Sequence, residues 1–165
     1  MTLFNESILQ VIAIGIGATV VMDLWLLLLK ALGVPTLNFA LLGRWVGHML
    51  RGQWTHAAIA QASPVQGELV LGWTVHYATG LAFAALLVGL AGLEWMRTPT
   101  LAPALLFGVG TVILPLVVMQ PAMGAGIASS RTKTPIQNCL KSLGNHTVFG
   151  LGLYIASLSL SSTWA

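Results

Sequence analysis

Charge is what this 165-residue chain has least of. Asp, Glu, Lys and Arg together make up 7% of it, with only four acidic residues: Glu6, Asp23, Glu68 and Glu94. A soluble domain carries roughly 25% charged residues, so an ordinary water-exposed globule is excluded. There is one cysteine, Cys139, which rules out an internal disulfide and a paired-thiolate metal site. It reads as a small apolar residue near the membrane. Seven cations give a formal charge of +3, yet they are spread over loop ends and form no basic face, so nucleic acid is not an expected partner.

What the chain has instead is apolar length. Hydrophobic residues reach 56% and mean hydropathy is +0.87. Four runs, at about 8–30, 68–93, 101–123 and 142–161, approach the ~20 residues a helix needs to cross a bilayer. The expected fold is therefore all-α: a single integral membrane domain over residues 1–165, built as a four-transmembrane-helix bundle. The first run is flanked by Glu6 and is long, which argues against a cleaved signal peptide. Lys30, Arg44, Arg51, Arg131, Lys133 and Lys141 fall at the first and third connections and only Arg97 at the second. The positive-inside rule then puts the first and third connections in the cytoplasm and both termini outside. Trp45, Trp54, Trp95 and Trp164 read as interfacial aromatics, Trp25 and Trp73 as packing residues.

In the first connection, "LLGRWVGHMLRGQW" places Arg44, His48 and Arg51 on one side of a short amphipathic helix, with Leu42, Trp45 and Met49 on the other. His48 is expected to be solvated there. Arg44, Arg51, Arg131 and Lys133, the last two in "ASSRTKTP", are expected to contact the interface or lipid headgroups.

The two halves resemble each other. "GIGATVVMD" (15–23) matches "GVGTVILPLVVMQ" (108–120) with an insertion around Pro115, and "HYATGL" matches "HTVFGL". A two-span duplication, 8–93 and 101–161, would make His76 and His146 symmetry mates.

The polar residues inside these runs are the candidate site. Asp23 lies seven residues before Lys30, about 10 Å from the end of its helix. Asp23, His76, Gln120 and His146 all fall in the cytoplasmic half and form an expected polar cluster. Gly15, Thr19 and Asp23 share one stripe, as do Gly72, His76, Gly80 and Ala84, and such small-and-polar stripes face other helices. A carboxylate at mid-membrane costs roughly 2.5–3.5 kcal/mol and needs a partner or a cavity. Three readings stand open. The cluster braces helices as a hydrogen-bonded clamp. Alternatively, His76 and His146, with Met119 or Met123, ligate a metal or haem iron. In the third, it serves a proton-coupled solute transporter or a transporter accessory subunit, with Pro115 and Pro121 loosening the third helix. No catalytic residue is assigned and an enzyme is not expected. A homo-oligomer or another membrane subunit is an expected partner besides the bilayer itself.

Taken together, "GRWVGH", "RGQWTHAAIAQASPVQGELVLGWTVHYATGLAFA", "LPLVVMQPAMGAGIASSRTKTP" and "NHTVFGLGLY" make the chain resemble the bacterial membrane proteins grouped as domain of unknown function 2938. The resemblance runs from about Gly15 to Tyr154. It implies a small multi-pass membrane protein and brings no activity, cofactor or catalytic residue.

Overall fold

A computed structural model describes residues 2–161; Trp164 lies outside the described residues. Those residues form helices and connections, with no strand among them. Helix α1 is Thr2–Ala31, α2 Phe39–Met49, α3 Glu68–Ala91, α4 Glu94–Arg97, α5 Leu101–Thr111, α6 Gln120–Ala122 and α7 Pro135–Ser161. Three stretches are long and apolar enough to cross a membrane: Asn5–Ala31, Glu68–Ala91 and Leu101–Ala122. The fourth expected span is a long helix of 27 residues, α7, which starts well before residue 142. Gln137, Asn138 and Lys141 fill its first turns, so hydropathy alone misses that part.

The third apolar stretch is not one regular helix. After α5, Pro115–Met119 form a π turn that leads into α6, and the Gln120 N–H reaches back five residues to the Pro115 carbonyl. Proline has no N–H to continue an α ladder, and a π turn is the way a helix absorbs the resulting mismatch. Helix α2 starts where Asn38 accepts a hydrogen bond from the Ala40 N–H, 3.0 Å, an N-cap. It stops before Gly52, whose φ of +82° suits glycine. Arg51, expected on the polar side of this amphipathic helix, therefore lies beyond its end.

The chain divides into two compact units interleaved along the sequence. One comprises Met1–Pro35, Tyr77–Gly110 and Asn145–Ala165, the other Thr36–His76 and Thr111–Gly144. The first holds an apolar core of Ile14, Ala18, Leu87, Phe149 and Leu153 with their neighbours. Phe83 meets both Phe107 and Phe149 edge-on. Its helices approach through small residues. A Cβ on Gly15 would sit 2.9 Å from the Leu81 Cα, and one on Gly152 2.9 Å from the Ala18 Cα. A Cβ on Gly108 would overlap Gly150. Trp95, expected at the interface, is buried in this core, and its Nε1 donates to the Thr100 carbonyl at 3.2 Å. Large exposed residues such as Leu24, Leu27, Leu90 and Leu106 suit contact with hydrocarbon.

The second unit rests on the crossing of α2 with the first turns of α3. Gly43 faces the Glu68 carbonyl and Gly72 the Phe39 carbonyl so closely that a Cβ on either would overlap main chain. Backbones meet this closely only where both helices present glycine.

Candidate functional site

In the first unit, the Tyr77 hydroxyl donates to the Asp23 Oδ2 at 2.8 Å. Two residues along α1, Trp25 Nε1 donates to the Asn145 Oδ1 at 3.1 Å, which anchors the residue before His146. The Thr19 hydroxyl, fully buried, donates to the Gly15 carbonyl at 2.8 Å, so that part of the Gly15–Thr19–Asp23 stripe faces inward. His146 is half-buried on α7, where its carbonyl lies 2.8 Å from where a Gly108 Cβ would be.

In the second unit, His76 packs against Phe39 (ring centroids 4.7 Å) and Trp73 (5.8 Å). Gln120, just after the π turn, uses both ends of its amide. Its Oε1 accepts from the Ser129 hydroxyl at 3.0 Å and its Nε2 donates to the Ser142 Oγ at 3.3 Å. Met119 and Met123 are half-buried beside it in sequence. Ser129 and its neighbour Ala128 sit at φ +58° and +50°, a left-handed conformation that is uncommon without glycine and marks local strain.

Arg44 is held inward. Its Nε and Nη2 make a two-pronged bond to the Glu68 carboxylate, 2.8 and 2.7 Å, and its Nη1 donates to the Ala60 and Ala62 carbonyls. The Glu68 bond holds the guanidinium above its usual pKa. Arg51, Arg131 and Lys133 are exposed.

His48 departs from expectation. It is buried rather than solvated, with Nδ1 2.9 Å from Gln53 Oε1 and Nε2 2.9 Å from the Ser63 carbonyl. A main-chain carbonyl can only accept, so Nε2 donates to Ser63. The reason is the connection after α2, which folds back over that helix and supplies both partners. His56 meets His48 edge-on, centroids 4.9 Å apart. Both of its ring nitrogens are buried without a partner. Its main-chain N–H donates to the Ala122 carbonyl, and the Ile59 N–H to the Met123 carbonyl, 2.8 and 3.0 Å. Gly124, at φ +97°, leaves room there for the Ala57 carbonyl.

Burial, and then the charge of His48, lower the His56 pKa. The unfolded chain therefore takes up a proton first as pH falls, and the contribution of His56 to stability, complete above about 6.5, declines below it. The melting temperature is expected to drop by a few degrees between about pH 7.5 and pH 5.5, and His56→Phe to flatten part of that slope. An identical slope in the variant would remove His56 from the account.

Among the described residues, no three His, Cys, Asp or Glu side chains are grouped so as to hold a metal ion. Asp23 and His146 belong to the first unit, His76 and Gln120 to the second. Sequence reasoning did not find Tyr77, Glu68, Ser129, Ser142, Gln53 or His56 as partners. Tyr77 is adjacent to His76, Gln53 stands two residues past Arg51, and Ser129 two before Arg131, so these three lay beside residues already singled out.

The family model described as protein of unknown function, DUF2938, matches residues 12–160. No curated protein and no solved structure matches the chain.

Proposed function

We propose a function for a chain that belongs to the DUF2938 family of proteins of unknown function: a small multi-pass carrier of the bacterial inner membrane, or a carrier's accessory subunit, that couples a proton to a neutral polar solute. The observation that carries this reading is the interrupted third span. Pro115 and a π turn lead to Gln120, whose amide is held by two hydroxyls. Discontinuous helices with polar groups beside them are the usual ground of solute sites in secondary transporters, and π turns collect at functional positions. An amide flanked by hydroxyls both donates and accepts, which suits an uncharged hydrogen-bonding solute. Asp23, within the first span, is the proton-carrying group, since ionisable residues at that depth serve relays and pathways.

The architecture proposed with it is four spans, α7 being the last, with both termini outside. Gly15 beside Gly80 and Gly108 beside Gly150 are the matching pairs of the two halves, which supports the internal duplication. Arg51, Arg131 and Lys133 are the cations proposed to meet headgroups, and a homo-oligomer or a second membrane subunit is the proposed assembly.

A clamp is the second reading, favoured by the Tyr77–Asp23 bond and the Ser129–Gln120–Ser142 chain. The two separate in a thermal-shift screen of the detergent-purified protein against amino acids, sugars and polyols. One solute class is expected to raise the melting temperature of the wild type, and Gln120→Leu to weaken that ligand at least about tenfold, because a site built to pair polar groups is left unpaired. No shift with any class, together with a lower melting temperature for Gln120→Leu, leaves the clamp. A Soret band or stoichiometric metal in the same preparation, lost on replacing His76 or His146, would instead establish cofactor binding.

A further inference from the structure

A groove of about 1110 Å³ opens in the first unit, and none of Asp23, Tyr77, Thr19, Asn145 and His146 lines it. Ligand pockets run to roughly 300–1,000 Å³, so this one is large for a small solute. Its body is apolar. Ile8, Val11 and Ile12, spaced three and four residues apart, line it from α1; Ala82, Ala85 and Gly89 do so from α3. Both triplets are single helix stripes. The small side chains of the α3 stripe are what leave the space: a Cβ on Gly89 would meet nothing within 4 Å. Charge gathers at one end only, where Glu6 stands at the start of α1 and Glu94 and Arg97 on α4. The Arg97–Glu94 contact is 3.3 Å long and largely exposed, a kind of pair worth little and easily opened.

We propose that this groove binds one zwitterionic phospholipid with an ethanolamine headgroup, its chain along the Ala82–Ala85–Gly89 stripe and its head at the charged mouth. Both walls belong to helices apolar enough to span a membrane, so the groove is surrounded by acyl chains. Two carboxylates and one guanidinium at the mouth repel an anionic head, whereas an ammonium and a phosphate on one molecule satisfy both signs. The Glu6 and Glu94 carboxylates take the ammonium and Arg97 the phosphate.

The test uses the full chain reconstituted in vesicles of equal phosphatidylethanolamine and phosphatidylglycerol, extracted in mild detergent and weighed by native mass spectrometry. One retained phosphatidylethanolamine per chain is expected, preferred over phosphatidylglycerol by roughly five- to tenfold, the scale of one headgroup charge. Gly89→Leu fills the groove and is expected to lose the lipid. Glu6→Gln keeps a lipid but brings the preference close to parity. Gly110→Leu, exposed and outside the groove, is expected to match the wild type. Should Gly89→Leu fail to fold, Ala82→Leu on the same stripe replaces it. Equal retention of the two lipids by the wild type overturns the assignment, as does a folded groove-filling variant that still holds its lipid. So does cross-linking of Ala85→Cys, in a Cys139→Ser background, to a second copy of the chain, which would make the groove an interface.

Discussion

Gly43→Val and Gly72→Val are each expected to reduce sharply the yield of monodisperse protein and to lower the melting temperature of what remains. At Gly43 a Cβ would overlap the Glu68 carbonyl oxygen and lie 2.6 Å from the Gly72 nitrogen; at Gly72 it would overlap the Phe39 carbonyl. The obstacle on each side is main chain, which cannot swing aside as a side-chain tip does, so α2 and α3 have to separate. Separation also pulls Arg44 from Glu68 and uncovers the connection that folds back over α2. Overpacking in a close-packed interior costs typically 1–3 kcal/mol and occasionally more. With main chain on both sides, the top of that range is expected, a melting temperature lower by on the order of 10 °C at 2–4 °C per kcal/mol. Gly144→Ala, inside α7 with nothing within 4 Å of the added Cβ, is the control. It should hold or gain stability, since alanine is favoured over glycine in helices by about 1 kcal/mol. Fluorescence-detected size exclusion and a thermal melt read all three. A Gly43→Val protein that runs and melts as the wild type does would mean that α2 and α3 do not touch at this point.

Asp23→Asn is expected to abolish proton coupling and leave the fold standing. An asparagine Oδ1 can accept from the Tyr77 hydroxyl as the Asp23 Oδ2 does, so the hydrogen bond survives while the proton-binding group is gone. Asn has the shape of Asp, so exchanging this half-buried carboxylate for an amide keeps the packing and removes a charge that is costly to desolvate, and the melting temperature should move little. Proton-linked uptake should fall about 100-fold or to background, in line with the 10²–10⁴ that a positioned proton-transfer group contributes. Asp23→Leu separates this from a clamp. If Asp23 only ties α1 to α3, leucine costs about the 1 kcal/mol of an interhelical hydrogen bond and asparagine costs nothing measurable in any assay.

The membrane character and the helix positions were legible because they are local. The apolar runs at 68–93 and 101–123 end within two residues of Glu68–Ala91 and Leu101–Ala122, since spanning a bilayer takes about 20 apolar residues in a row. The family could be read too, through motifs spread along most of the chain. Side-chain partnerships between distant residues were not legible. Arg44 and Glu68 are 24 residues apart with no periodic signal joining them, and Arg44 read from the sequence as a surface cation. His48 read as solvated because an isolated helix shows only its own polar face; the chain that covers that face, at Gln53 and Ser63, comes later. The early start of α7 was hidden by its polar first turns. Proline content hinted at a break in the third span, but whether Pro115 kinks, ends or widens a helix depends on what packs around it. The cost of placing a carboxylate inside an apolar run singled out Asp23 from the sequence, but not the residue that bonds it. Tyr77, the residue that bonds it, stood one place beyond His76.

The central claim is that a proton and a solute move together. It is tested most directly by recording luminal pH and radiolabelled solute in the same proteoliposomes, with the solute class taken from the thermal-shift screen. The account predicts that an imposed pH gradient drives solute uptake against its own gradient, and that solute added alone changes luminal pH in fixed proportion to its uptake. Solute movement indifferent to the pH gradient, with luminal pH unchanged, would contradict it.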